Sequence, residues 1–281
     1  MLTRPDRFLR IVEVNPPDLP NMSHLLLEGT WSNVLVTDNV FGKIRVSPYA
    51  FAARITHDVP SVSPTIVVST RDRNILAIES EVRGALGNGV KSFLVVVGDT
   101  LPQVDHLADH YEIVRHLRDL QDDLPEFGVG MPTRFQAWQK QRRITAGAQF
   151  LVAGPIIDPA TVAESVGRLD LQPDDPPVFV MVIPPFGPDW IDRIESMGAV
   201  VATDDLKEAI ASASSDERRE MAWQYTRRVA AEAEAAGCSG AILMGLRFDT
   251  IVDEAALAWR DPNMQRQVQH TPPSVHQHRS V

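Results

Sequence analysis

The chain is poor in cysteine: Cys238 stands alone among 281 residues. A disulfide framework is therefore excluded, and the reducing cytoplasm is the expected setting. Long apolar runs are missing too, since no stretch approaches the roughly 18 residues that suggest a membrane span. The opening MLTRPDRFLR has no apolar segment of the kind a secretory signal carries. Nor is there any basic excess. Lys and Arg number 27 against 37 Asp and Glu, a formal net charge of −10, and no arginine-rich run occurs. Nucleic acid is thus not an expected partner. No GxGxxG follows the first apolar segment, which weakens a dinucleotide-binding start.

What is present is a hydrophobic content of 44%, enough in a chain of this length to bury a large core without metals or disulfides. Apolar runs alternate with longer amphipathic segments. FLRIVEV (8–14), NVLVT (33–37), TIVVS (65–69), SFLVVVG (92–98), FGVGM (127–131), QFLVAG (149–154), VFVMVI (178–183) and GAILMG (240–245) read as strands, the fifth diluted by glycine. Between them NILAIESEVRGALGNG, HYEIVRHLRDLQDDL, TRFQAWQKQRRITAGA and SDERREMAWQYTRRVAAEAEAAG repeat apolar residues every three or four positions and read as helices. Eight strands alternating with helices predict a closed (β/α)8 TIM barrel, α/β in class, as a single domain over residues 1–260. The polar stretch 261–281, rich in Pro, Gln and His, predicts a disordered tail. His276 and His278 lie in it, and a mobile tail does not hold a metal in fixed geometry.

Catalytic groups of such barrels sit at the carboxyl ends of the strands. The ends here carry Glu13 and Asn15, then Thr37, Asp38 and Asn39, the run STRDRN (69–74), Asp99, Asp158, and finally Arg247 and Asp249. Several have structural explanations. Asp72 or Asn74 caps the next helix, Asp158 precedes Pro159 as an N-cap, Asp249 caps the last helix, and Arg71 and Arg73 pair with rim carboxylates. Asp99 is harder to dismiss, following an apolar run and a glycine. Glu13 is harder still. Strand alternation puts it on one face with Ile11 and Asn15. If that face lines the barrel, burial raises the Glu13 pKa and leaves a neutral proton donor at the mouth.

VEVNPP, VTDN followed by GKIRVSPYAFA, STRDRN, GVKSFLVVVGDT, RRITAGAQFLVAGPIID, VFVMVIPPF and GCSGAILMG together resemble the methylenetetrahydrofolate reductase family, over about residues 10 to 258. The resemblance implies a barrel oxidoreductase of one-carbon metabolism acting on CH–NH groups. It would reduce 5,10-methylenetetrahydrofolate to 5-methyltetrahydrofolate, or run the reverse, with NAD(P)H and through FAD if the flavin is retained. By the same resemblance Glu13 protonates N10 of the tetrahydrofolate derivative, and Asp99 stabilises the resulting iminium beside the flavin. Thr37 meets nicotinamide and flavin, Arg142 and Arg143 reach the cofactor phosphates, and Arg247 joins Glu13 and Asp99 as a substrate contact. Val67, Val97 and Gly154 stand where that family commonly has histidine, arginine and glutamine. The alternative it leaves is a non-catalytic barrel of the same family that binds folate or a partner subunit. A homo-oligomer is a further expectation; a membrane partner is not.

Overall fold

The structure, a computed structural model, describes residues 2, 3, 5–17, 32–99, 108–246, 254, 258 and 259. Eight parallel strands close into a barrel in chain order: β1 (Leu9–Val14), β2 (Asn33–Val36), β3 (Ser63–Ser69), β4 (Ser92–Val96), β5 (Gly128–Thr133), β6 (Phe150–Ile156), β7 (Val178–Val182) and β8 (Gly240–Leu243). β8 pairs back onto β1, Leu9 opposite Gly240. Helices lie between strands: α1 (Pro48–Asp58), α2 (Ile75–Gly87), α3 (His110–Asp119), α4 (Ala137–Thr145), α5 (Val162–Gly167), then α6 (Pro188–Ser196), α7 (Asp204–Ser212) and α8 (Ser215–Ala235) between β7 and β8. This is the (β/α)8 TIM barrel that the alternation of apolar runs predicts. Arg247, Asp249 and the stretch 261–281, with His276 and His278, lie outside the described residues.

Strand alternation divides the apolar residues between two cores. Leu9 and Ile11 of β1 join Leu35, Leu94, Phe150, Val152, Phe179 and Ile242 inside the barrel. Val12 and Val14 turn outward to the larger core under the helices. Two glycines make room for the interior aromatics. A Cβ at Gly130 would lie 2.3 to 2.5 Å from ring atoms of Phe150, and one at Gly240 would lie 2.8 Å from Phe179. The two phenylalanine rings meet edge to face at 6.2 Å. Glycine inside β5 is therefore a packing requirement, which is why a strand with a weak pattern forms. Gly130→Ala is expected to lower stability by about 1–3 kcal/mol through overpacking, read as a lower urea midpoint at unchanged slope.

Two strands end two residues earlier than expected. β4 stops at Val96. Gly98 takes φ +85 and its backbone comes so near β3 that a Cβ there would sit 2.3 Å from Ser69 Oγ. β8 stops at Leu243, two residues before Gly245 turns to φ +81. The caps follow the sequence in part. Asn74 accepts the Ala77 N–H and starts α2, whereas Asp72 sits in a left-handed turn at φ 54. Asp158 accepts the Ala160 N–H at 2.9 Å, and its second oxygen accepts the N–H and hydroxyl of Thr203 at 2.9 and 2.6 Å, tying the exit of β6 to the start of α7. Ser214 and Glu217 form a reciprocal capping box for α8. Among the described residues, no helix is long and apolar enough to cross a membrane.

Candidate functional site

Inward positions of β1 are Leu9, Ile11 and Glu13, so the carboxylate occupies the last of them, beside Leu35 of β2. Partly buried apolar residues of the interior, Val67, Val96 and Met181, belong to the same inner core. Burial pushes the Glu13 carboxyl up from 4.5 to about 7, while the backbone N–H of Gly245 pulls it the other way. Near neutrality the group is thus present both as acid and as base. The inward placement expected for Glu13 is the observed one.

The neighbouring strand ends are tied to one another. Thr37 donates its hydroxyl to Asn15 Oδ1 at 2.7 Å, and its N–H goes to the Val14 carbonyl at 3.0 Å. Arg71 continues the inward parity of Val67 and Ser69. Its guanidinium, with 9% of the side chain exposed, donates to the carbonyls of Asp99 and Asn39, each at 3.2 Å. The nearest carboxylate oxygen, Asp99 Oδ2, is 3.9 Å away, and no partner for Arg71 Nε occurs among the described residues. Asp99 itself, 41% exposed, accepts the N–H of Phe41 at 2.6 Å. That contact holds a loop in which Asn39, Phe41 and Gly42 all have positive φ. No hydrogen bond or ion pair joins Asp99 to Glu13 among the described residues. Asp99 is therefore a loop tether as well as a rim carboxylate.

Outward of this ring, Arg73 pairs with Asp38, whose side chain is 2% exposed, and lies 3.5 Å from Glu81. The rim pairing expected for Arg71 and Arg73 is thus found for both, loosely at 3.9 Å to Asp99 for Arg71, which also serves two carbonyls. Arg142 and Arg143 sit on the last turn of α4. Both guanidinium carbons lie over the Tyr111 ring, at 4.6 and 4.7 Å from its centroid. Arg143 donates to the Pro132 carbonyl at 3.0 Å, to His110 Nε2 at 3.0 Å and to the Tyr111 hydroxyl. Sequence reasoning does not single out His110 and Tyr111, because the feature that makes them notable is a contact between α3 and α4. Among the described residues no three His, Cys, Asp or Glu side chains group to hold a metal ion.

No family model matches this chain, and no curated protein matches it. Solved structures do. Two crystal forms of 2,3-dimethylmalate lyase, a PEP mutase/isocitrate lyase superfamily member, superpose with TM-scores of 0.50 and 0.52 at 14% and 13% identity. The matches cover 96% and 99% of this chain and 86% of the lyase in each case. Oxaloacetate acetylhydrolase in complex with an inhibitor matches at a TM-score of 0.48 and 10% identity, over 85% of this chain and 75% of that one. At these identities the likeness is one of fold.

These findings correct the resemblance to methylenetetrahydrofolate reductase. The two dimethylmalate lyase forms are PEP mutase/isocitrate lyase superfamily members, not flavin- and folate-dependent oxidoreductases. The one-carbon oxidoreductase acting on CH–NH groups, the use of FAD and NAD(P)H, and the folate-binding alternative all fall with it. The physical reason is that the quoted segments record what any barrel of this type repeats. Each is an apolar strand followed by a turn residue and a polar strand end, and both order and spacing follow from the βα rhythm. The residues carried over on that resemblance have other partners here: Thr37 serves Asn15, and Arg143 serves Pro132, His110 and Tyr111.

Proposed function

We propose that the chain is a barrel enzyme that transfers a proton to or from a small carboxylic acid, with Glu13 as the acid–base group. The observation that carries this reading is Glu13 itself, a carboxyl on the inner face above an apolar core, held near neutrality by burial. Groups poised near the working pH are the efficient acid–base catalysts. Arg71 complements it, since a guanidinium held by backbone carbonyls attracts a substrate carboxylate or a developing enolate. Thr37 and Asn15 would fix the β1 and β2 ends beside it.

Within that class the reading that fits best is cleavage of a carbon–carbon bond in a hydroxy-dicarboxylic acid. It is supported by the name of the lyase that shares the fold and by a site with one base and one cation. Ionised Glu13 takes the hydroxyl proton, the carbon–carbon bond breaks as the carbonyl forms, and the electron pair stays on the departing carbon as an enolate beside Arg71. The proton then passes from Glu13 to that carbon. The test is proton NMR of the full chain with malate and 2,3-dimethylmalate in D2O. The expected result is a 2-oxo acid and a second acid carrying deuterium at the newly protonated carbon. Absence of both cleavage and deuterium exchange with these acids sinks the reading.

A further inference from the structure

The start of α3 and the last turn of α4 build a second polar cluster, which no hydrogen bond or ion pair among the described residues joins to Glu13. Arg143 is half-buried and held on three sides, by the Pro132 carbonyl, His110 Nε2 and the Tyr111 hydroxyl. Arg142 stacks on the same tyrosine ring. Among the described residues, neither guanidinium has a carboxylate within ion-pair distance. Asp109, half exposed, is 3.9 Å from the far nitrogen of His110. Burial lowers the Arg143 pKa, and burial together with Arg143 lowers that of His110, so the imidazole tends to stay neutral and accept from Arg143.

Two like charges on one aromatic ring repel each other, and desolvating either adds to the cost. The last turn of α4 favours cations through the helix macrodipole, but that does not require two of them against one tyrosine ring with one half-buried. Arginine's planar fork, when already oriented by fixed acceptors, is the side chain best suited to oxyanions. Arg143 Nε and Nη1 are occupied, and among the described residues Nη2 and the whole Arg142 guanidinium are left to donate.

We propose that Arg142, Arg143, His110 and Tyr111 form a binding site for a small oxyanion, a phosphate or carboxylate group, distinct from the proton-transfer site at Glu13. The proposal does not depend on the reaction assigned to Glu13. The charge of the ligand offsets the repulsion between the two arginines, whose guanidinium carbons lie 4.6 and 4.7 Å from the Tyr111 ring centroid.

Isothermal titration of the full chain with inorganic phosphate, and separately with acetate, tests it at constant ionic strength set by chloride. Saturable binding of either anion at one site is expected, and which anion binds assigns the ligand to the phosphate or the carboxylate class. Arg143→Met should weaken that binding at least tenfold and Arg142→Met several-fold, while Glu13→Gln leaves it unchanged. Arg142 is exposed, so Arg142→Met decides the matter should Arg143→Met fail to fold. Binding of neither anion overturns the site. So does wild-type affinity in Arg142→Met or in a folded Arg143→Met, and a loss of affinity in Glu13→Gln overturns its separateness.

Discussion

Glu13→Gln at pH 8 is expected to melt above the wild type while losing about 10²–10⁴-fold in turnover. Both effects come from one carboxyl. Its pKa is about 7 in the folded chain, against an ordinary value of 4.5. Between those values the native state holds a proton that the unfolded chain has released, so stability falls as pH rises through this window. Above it the ionised group carries its full desolvation penalty, roughly 3 kcal/mol from the size of the shift. Glutamine keeps the shape and removes the charge. The variant should therefore be up to about 3 kcal/mol more stable than wild type at pH 8 and nearly equal to it at pH 4. Chemical denaturation at the two pH values reads this directly. A variant no more stable at pH 8 would place the carboxyl in water and remove the basis for its catalytic role.

Arg73→Met is expected to cost about 3–5 kcal/mol, because it leaves a buried carboxylate without its cation. Asp38 is held by Arg73 and by the Asn39 amide at 2.9 Å, and Glu81 faces the same guanidinium. Burial raises the Glu81 pKa, with Arg73 opposing and Asp38 reinforcing the rise. Without the arginine, two acids would share a poorly hydrated space between α1 and α2. Adding Asp38→Asn to the variant should recover a good part of the loss, since a neutral amide needs no counter-charge. Denaturant midpoints of the two single variants and the double variant give the coupling. Additive losses would show that Arg73 acts by packing on Tyr49, 5.8 Å from its ring, and not through Asp38.

The residues legible in the sequence are those whose position depends on local periodicity. Alternation in β1 is enough to send Glu13 inward once the strand is in a closed barrel, and apolar surroundings then raise its pKa. Asn74 and Asp158 are readable as caps because capping spans a few residues. The pairing of Arg71 with carbonyls, the tether from Asp99 to Phe41 and the stacking of Arg142 on Tyr111 are not. Each joins loops or helices 28 to 58 positions apart, and no local pattern encodes those meetings. The family resemblance fails for a related reason. Strand-end motifs share the rhythm of the architecture, whereas chemistry resides in the side chains that the loops bring together.

Closure of the strand ring also bears on solubility and assembly. An open sheet offers unpaired amides and carbonyls along its two borders, which can template addition of a foreign strand. Here β8 returns to β1, and among the described residues no such border remains. Self-association, where it occurs, must therefore proceed by side chains on helices and loops, such as the outward Leu76 and Trp138, and not by extension of the sheet.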